Sequence, residues 1–486
     1  MLLTALLLVP LIGSFLLAFL GSRTLAKYLT IFCCMLTFAF SLGLGWQFNA
    51  QGNLTFANGW FYIDSLNMVI IILTAFIGLT TAIFSLTYLK NEQRLRNLSK
   101  KSLRFYYSLY QFFLFTTLLI LTSNNLGILW VAMEGATLST VLLVGLYRMP
   151  ESLEAAWKYL ILCGVGLTQA LLGIILLYFA AEKIIDVQNA LFWTQLHMAS
   201  AQLSPRIAEI AFVFILVGYG TKVGFVPLHN WLPDAYGEGI APVLALMSGI
   251  LLNAAFYAIL RCKIIVDGAV GPTFTNQFLL GFGLLNVLVA AFFMLRQREI
   301  RRLFAYSSIE HLGLISFAFG LGTPLAIFAG LLHIIAHSLS KTAVFFSVGQ
   351  AIQVRNTTLI EQIRGLVHDY PALGWGLLLG SFSLLGVPPF ALFTSEFLIL
   401  FTSINQYPIL TLLLVIGLAI TFAAIFYKVQ GMIFTPKPST DVQQERVSFL
   451  PIYLHLFLIL LLGLMIPTFL WDWSNQIALL MQGSMI

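Results

Sequence analysis

Apolar runs long enough to cross a lipid bilayer repeat along this whole chain, and they leave few folds open to it. A membrane-spanning helix needs about twenty consecutive apolar residues, and the polar intervals between the runs are too short for a soluble domain. Hydrophobic residues make up 59% of the 486 residues, and Asp, Glu, Lys and Arg only 9%, which excludes a soluble protein of this size. Transmembrane barrels use alternating segments of about ten residues, which are absent from the sequence. The sequence predicts an all-α polytopic membrane protein with a single integral membrane domain, 1–486.

We count fourteen candidate transmembrane helices. Three N-terminal helices occupy residues 1–89, a first repeat of five helices occupies 105–262, a second repeat occupies 274–434, and the last helix occupies 447–471. The predicted spans are 2–20, 28–46, 61–89, 105–121, 126–147, 156–181, 207–232, 240–262, 274–295, 303–321, 325–352, 372–402, 408–434 and 447–471.

The basic residues predict the orientation of these spans. With the N-terminus outside, nineteen of the 25 Lys and Arg residues fall in cytoplasmic loops, among them Arg23, Lys437 and Arg446. Cytoplasmic loops of membrane proteins are enriched in Lys and Arg. We therefore expect a multi-pass protein of a bacterial or archaeal inner membrane with both termini on the outer face. The basic residues left for outer loops are Lys183, Arg206, Arg261 and Lys263.

Two of the predicted spans contain helix-breaking sequences. Span seven holds Gly-Phe-Val-Pro-Leu at 224–228, and span twelve holds Gly-Val-Pro-Pro-Phe at 386–390. Proline removes a backbone hydrogen bond and clashes with the preceding turn, and such breaks survive in membranes where they are buried in protein or line a cavity. Two interrupted segments five spans apart are typical of inverted structural repeats around a site at mid-membrane.

Four ionisable residues lie inside otherwise apolar spans. A charged side chain at the bilayer centre costs roughly 2.5–3.5 kcal/mol even on the gentlest scale, so two acids and two bases there indicate a pathway for ions or protons. Glu134 in span five and Lys222 in span seven are expected to interact, with a structural ion pair as the alternative. Glu396, after the break in span twelve, is placed where it could pair with Lys341 of span eleven.

Span eleven carries His333, His337 and Lys341 at intervals of four residues, which puts all three on one face of a helix. Histidine suits a proton relay because its ordinary pKa lies near neutrality. Two alternatives remain open, a metal site on the histidine pair and buried histidines satisfied by backbone carbonyls.

Other polar residues are weaker candidates for a pathway or an access point. Lys158 could instead extend its ammonium group to water from the end of span six. The four cysteines include no C-x-x-C pair, so we expect no metal or other cofactor. The remaining candidates in this group are His229 and Asp234 after the first break, and Glu310 and His311 in span ten.

Several long segments resemble the antiporter-like membrane subunits shared by respiratory complex I, Mrp-type sodium/proton antiporters and membrane-bound hydrogenases. Within that superfamily the chain is most similar to the hydrogenase-4 component F family and its relatives in energy-converting hydrogenases. The segments that carry the resemblance are 222–235, 242–249, 302–311 and 333–341.

The resemblance implies fourteen helices, inverted repeats and a polar axis along the membrane. It also implies proton translocation within a larger redox complex, with other membrane subunits and a peripheral redox module as partners and no redox centre in this chain. One residue departs from the pattern, because complex I members carry a lysine in span eight where this chain has Asn253. The pathway positions it implies are Glu134, Lys222, His333, His337, Lys341 and Glu396.

Two other functions remain open from the sequence. One is a sodium/proton antiporter subunit, for which ion movement would depend on sodium. The other is a membrane anchor for a peripheral enzyme that conducts nothing, for which neutralising the pathway residues would leave coupling intact.

Overall fold

The computed structural model describes residues 1–20, 25–96, 98–436 and 447–483. Over these residues the chain is almost entirely helical, as the apolar runs predict. A short antiparallel hairpin pairs β1 (Leu54–Phe56) with β2 (Phe61–Ile63). Arg23, Lys437 and Arg446, which the orientation argument places in cytoplasmic loops, lie outside the described residues.

The first part of the chain builds the helices that carry Glu134 and Lys222. Short helices α7, α9 and α10 separate the long ones, and a π-helical turn over Met247–Leu251 joins α10 to α11. The bounds are α1 Leu2–Leu20, α2 Leu25–Gln51, α3 Ser65–Arg96, α4 Lys100–Thr122, α5 Leu126–Val144, α6 Pro150–Ala181, α7 Trp193–Met198, α8 Pro205–Val223, α9 Trp231–Glu238, α10 Ala241–Leu246 and α11 Leu252–Val270.

The second part builds the helices that carry the histidines, Lys341 and Glu396. Each of its long helices except α13, α17 and α20 begins at proline or one residue before it, since proline lacks the N–H that a first helical turn leaves unpaired. The bounds are α12 Pro272–Arg296, α13 Ile300–Leu321, α14 Pro324–Arg355, α15 Leu366–Asp369, α16 Pro371–Leu384, α17 Ala391–Gln406, α18 Pro408–Phe434, α19 Leu450–Leu464 and α20 Thr468–Met481.

Ten helical spans of the described chain are long and apolar enough to cross a membrane, counting the rod Ala241–Val270 as one. The bent pair α19–α20 would make eleven. The remaining predicted spans are the two broken ones and α13, which holds several charged residues. The polytopic helical fold is therefore confirmed, and the count of fourteen stays a prediction.

Both predicted helix breaks are present. Helix α8 ends at Val223, Gly224 adopts a left-handed conformation with φ of 90°, and α9 begins only at Trp231. Helix α16 ends at Leu384, and Gly386 again has a positive φ, of 59°. The peptide bonds before Pro227 and Pro389 are cis.

The last span differs from the prediction of one helix over 447–471. Helix α19 ends at Leu464, and α20 follows at an angle of 75°. Pro467 explains the bend, because proline cannot donate a helical hydrogen bond and disfavours helical geometry in the residue before it.

Two basic residues assigned to an outer loop lie inside α11 instead. Arg261 forms a bidentate ion pair with Asp64 at 2.6 and 2.7 Å, and both side chains are buried. Lys263 pairs with Asp267 one turn along the same helix. A buried carboxylate partner lets a basic residue lie within a membrane helix. These two residues therefore do not indicate which side of the membrane the neighbouring loop faces.

Helix α14 is the centre of the bundle. Every residue from Ala326 to Gln353 is buried, because α14 packs against α3, α10, α13, α16, α17, α19 and α20. In the first half, glycines bring α6 and α8 unusually close: a Cβ at Gly218 would collide with the Ala170 backbone nitrogen. This close packing places Tyr159 of α6 beside Lys222 of α8.

Candidate functional site: two buried polar clusters

Lys222 is completely buried in the last turn of α8, directly before the first helix break. Its ammonium group donates a hydrogen bond to the phenol oxygen of Tyr159, and that phenol is 2.7 Å from the Thr140 hydroxyl. The Tyr159 ring stacks on Trp231 with centroids 4.4 Å apart. We call Lys222, Tyr159, Thr140 and Glu134 the first cluster.

Glu134 does not form the expected ion pair with Lys222. The two side chains have no nitrogen–oxygen contact within 4.0 Å, although they interact electrostatically. Helix α6 packs between α5 and α8, and the Tyr159 hydroxyl takes the hydrogen bond that the carboxylate was predicted to accept. Glu134 is half-buried on the outer side of α5, where its helix neighbours Val131 and Leu138 are 61% and 46% exposed.

Lys341 is the centre of a second cluster, formed by α13, α14 and α17. Its ammonium group is completely buried and donates to the Phe304 carbonyl at 3.0 Å. The carboxylate that interacts electrostatically with it is that of Glu310, which is also buried. The sequence predicts that Glu396 could pair with Lys341, but Glu396 interacts with Glu310 instead.

Three buried histidines lie between Lys341 and Glu396. His311 Nδ1 is 3.1 Å from His333 Nε2, and His333 Nδ1 is 3.0 Å from the Ser395 hydroxyl. The His311 ring also lies 5.1 Å from that of His337, whereas the rings of His333 and His337 are 6.5 Å apart. The spacing along α14 predicts a row of His333, His337 and Lys341. His311 of α13 also belongs to this row.

Hydrogen-bond donors and acceptors give this row a direction. The Ser395 hydroxyl donates to the Leu392 carbonyl at 2.9 Å, which leaves its oxygen to accept from His333 Nδ1–H. A neutral imidazole has one donor and one acceptor nitrogen, so His333 Nε2 accepts from His311 Nδ1–H. His311 Nε2 is then the acceptor end of the row, and it is buried without a protein partner.

Glu396 lies directly on the second helix break. A Cβ added at Gly386 would collide with the Glu396 carboxylate, so glycine is needed there both for its backbone conformation and for its missing side chain. Glu396 is half-buried in the first turns of α17, next to Ser395. The break thus brings a carboxylate to the far end of the histidine row.

The region between the clusters contains Asn253 and a separate hydroxyl bridge. The Asn253 amide donates to Ser338 of α14 at 2.8 Å and to the Gly249 carbonyl at 3.1 Å. Ser248, on the π-helical turn, is 3.0 Å from Ser308, which donates to the same Phe304 carbonyl as Lys341.

The weaker candidates fall into two groups. Lys158 is exposed and contacts Glu154 at 2.7 Å and Asp234 at 3.3 Å, and Asp234 also pairs with Arg302. Lys158 and Asp234 therefore belong to a surface network, as the alternative interpretation of Lys158 expected. His229 is buried, and its ring lies edge-on to Phe293 and Tyr306. It is not a member of either cluster.

One arrangement in the described residues approaches a set of metal ligands. Atoms of His311, His333 and Glu396 lie within 4.8 Å of one another. The facing nitrogens of the two histidines hydrogen-bond to each other. In this arrangement they can pass a proton between them without a metal ion.

The sequence does not predict Tyr159 and Thr140 as members of the first cluster, and it predicts His311 only as an access point. Tyr159 lies next to Lys158 in a segment that was considered only for its lysine. His311 was treated as an access point, although the buried sequence from Tyr306 to His311 on α13 was a signal for a second polar helix face.

Comparisons with known proteins agree with this architecture. Residues 123–422 match the family described as NADH:quinone oxidoreductase/Mrp antiporter, transmembrane. The chain is 44% identical to a hydrogenase-4 component F homolog of Methylacidiphilum infernorum, over 98% of this chain and 99% of that protein. Two solved structures share the fold at 24% identity. A chain of an archaeal membrane-bound sulfane sulfur reductase has a TM-score of 0.89 and covers 99% of this chain and 97% of its own. A chain of respiratory complex I from Thermus thermophilus has a TM-score of 0.76, with coverage of 96% and 97%.

Proposed function

The chain belongs to the NADH:quinone oxidoreductase/Mrp antiporter family of membrane subunits, and on that premise we propose that it translocates protons within an energy-converting redox complex of the hydrogenase-4 or complex I-related kind. The single observation that supports this best is the enclosed row from Lys341 to Glu396. Ionisable groups at membrane depth are costly and are typical of proton relays.

In this proposal the second cluster passes protons along the histidine row. His311 Nε2 takes a proton from the side of Lys341 and His337, and His311 releases its Nδ1 proton to His333 Nε2. His333 in turn releases its own Nδ1 proton towards Ser395 and the Glu396 carboxylate. Each imidazole gains a proton on Nε2 and loses one from Nδ1, so both rings are neutral after a transfer but carry the proton on the other nitrogen, and they must rotate back before the next transfer.

Buried polar atoms without a protein partner support the same proposal. They include both ring nitrogens of His337, His311 Nε2, Glu310 Oε2 and the Asn253 side-chain oxygen. Buried polar groups are nearly always hydrogen-bonded, so this set favours water molecules that connect the two clusters. The first cluster would then exchange protons at the outer side of α5 through Glu134.

The proposal also includes the division of the chain into repeats, its membrane and its partner subunits. Residues 105–262 and 274–434 form the two inverted repeats, each with one broken helix, behind three N-terminal helices and before the last helix. The protein lies in a bacterial or archaeal cell membrane with both termini outside. It assembles with other membrane subunits and a peripheral module that holds the redox centres.

Proton counting in the purified complex tests the proposal. The complex is reconstituted into vesicles, and protons moved per electron pair are measured for the native chain and for Glu310→Gln. Glutamine keeps the shape of glutamate but cannot bind and release a proton, so we expect a loss of about tenfold or more, since a positioned proton donor contributes roughly a hundredfold or more. Glu209→Gln, near the start of α8, is the control and should pump normally.

The same vesicles separate the other two functions. Proton movement that requires sodium, with sodium carried in the opposite direction, would make the chain an antiporter subunit. Normal pumping by assembled Glu310→Gln and Lys341→Ala variants would instead mean that the chain anchors the complex and conducts nothing.

A further inference from the structure

A cavity of about 560 Å³ lies where α12 and α18 both end, on the predicted cytoplasmic side. It is distinct from both polar clusters. Three basic side chains line it, those of Arg298, Arg364 and Lys428, together with one acid, Glu361. The net charge of the lining is therefore +2.

The three basic groups have no carboxylate partner among the described residues. Arg364 donates to the Glu361 backbone carbonyl at 2.9 Å. Lys428 donates to three backbone carbonyls at the end of α12, including those of Leu295 and Gln297 at 3.0 and 2.8 Å. Backbone carbonyls are neutral, so these hydrogen bonds do not compensate the positive charges of Arg364 and Lys428.

Two other arginines on the same side of the bundle are paired with carboxylates. Arg302 contacts Asp234 at 2.8 Å, and Arg355 contacts Asp369 at 2.7 Å. The lining of the cavity therefore carries an excess of positive charge that no ion pair of this kind compensates among the described residues. An excess of this kind around a concave site favours an anionic ligand.

The flanks of the cavity are apolar and face outward from the bundle. On α12, Phe292 and Leu295 are exposed, and on α18 Tyr427 and Phe434 are exposed. Tyrosine is enriched where a membrane protein meets the headgroup region. A ligand at this position would thus have a basic pocket for an anion and an apolar helix face for hydrocarbon chains.

We propose that the cavity binds the headgroup of an anionic phospholipid, with its acyl chains along the outer faces of α12 and α18. Basic pockets between transmembrane helices on the cytoplasmic side recognise such headgroups. The net charge of +2 matches a lipid with two phosphates best. The inference does not depend on proton translocation.

Native mass spectrometry of the purified complex tests the proposal. The complex is stripped of lipid in detergent and titrated with diphosphatidylglycerol, with phosphatidylcholine or with inorganic phosphate. The double variant Arg298→Gln/Arg364→Gln removes two charges from the cavity and leaves Lys428, which holds the end of α12, in place. Its control, Lys100→Gln/Lys101→Gln, removes two exposed charges from the start of α4, outside the cavity.

The double variant should weaken lipid binding, whereas removal of the acid in the lining should strengthen it. One basic residue near an anionic headgroup contributes roughly fivefold in binding, so the double variant should bind diphosphatidylglycerol about 25-fold more weakly. Glu361→Gln removes the acid that lines the cavity among the described residues and should strengthen binding about fivefold. The control should bind like the native chain.

Three outcomes would overturn the proposal. They are equal diphosphatidylglycerol binding by the native chain and the double variant, equal binding of phosphatidylcholine, and displacement of the lipid by millimolar inorganic phosphate. The last result would identify a site for a free anion instead of a lipid.

Discussion

The two buried lysines lie in different surroundings, and the difference suggests different tasks. Lys222 is held by one phenol, and the nearest acid, Glu134, lies on a partly exposed helix face. Lys341 is enclosed together with Glu310 and three histidines from two helices. The first lysine has one neutral hydrogen-bond partner, whereas the second adjoins a row of groups that can each accept and release a proton.

Under the proposed function, the second cluster moves protons over a distance, and the first holds a buried charge on Lys222 beside the partly exposed face of α5. A held charge needs a fixed partner, which Tyr159 supplies by stacking on Trp231. A relay needs several exchangeable partners in hydrogen-bond reach, which His311, His333 and Ser395 supply. The variants below test that division, from the largest expected effect to the smallest.

The largest effect is expected from Lys341→Arg. Arginine keeps the positive charge but does not deprotonate in proteins, so proton movement should fall to the leak of the vesicles while electron transfer continues. Dye-monitored pumping by the reconstituted complex measures it. Lys263→Arg is the matched control, since Lys263 is equally buried but paired with Asp267, and it should pump normally. Normal pumping by Lys341→Arg would show that this lysine does not carry protons.

His311→Phe should have the next largest effect. Phenylalanine fills a similar space but removes the nitrogens that join His333 to the Lys341 side, and we expect proton translocation to fall by about tenfold or more. His229→Phe is the control, a buried histidine outside the row, and should change pumping little. If both variants pump alike, the hydrogen-bonded row is structural and the distinction between the clusters fails.

The fold and the charged positions were predictable, whereas their partners were not. Runs of apolar residues and Gly-Pro breaks are local signals, so the helices and the interruptions near Pro227 and Pro388 could be inferred without knowing how helices pack. Which helix lies beside which depends on contacts between distant segments. For that reason Tyr159 was missed and Lys341 was paired with the wrong glutamate.

The charge asymmetry predicts an orientation, but two of the residues that it assigns to an outer loop lie inside a helix. Arg261 and Lys263 follow an apolar stretch and look like a loop, yet each has a buried carboxylate that compensates its charge. Asp64 lies 197 residues from Arg261, too far along the chain for any local pattern to connect them.

Tyr159→Phe tests whether Tyr159 only holds Lys222 or also relays protons. The variant keeps the stacking on Trp231 but removes the hydroxyl that Lys222 and Thr140 share. We expect pumping to fall roughly two- to tenfold, the range of one hydrogen bond, with a lower melting temperature of the complex. Tyr110→Phe, which removes a buried hydroxyl bonded to the Gly78 carbonyl, is the control for stability. A loss as complete as that of Lys341→Arg would mean that Tyr159 itself relays protons.

The smallest effect is expected from Asn253→Ala, at the position where complex I relatives carry lysine. Asparagine cannot bind and release a proton, so its contribution is limited to the hydrogen bonds with Ser338 and Gly249. The hydroxyl bridge from Ser248 to Ser308 joins the two halves without it. We therefore expect pumping to fall about twofold or less, the lower end of the range for a hydrogen bond, because the Ser248–Ser308 bridge remains.

Ser308→Ala is the counterpart that makes the Asn253 result decisive. Both variants remove a neutral, buried polar group, and the comparison is made between complexes that have assembled to the same extent. If the clusters communicate through the π-helical turn, Ser308→Ala should impair proton translocation more than Asn253→Ala at equal assembly. The reverse order would place the connection on α11 at Asn253, and the clusters would then be joined at the position where the chain departs from complex I relatives.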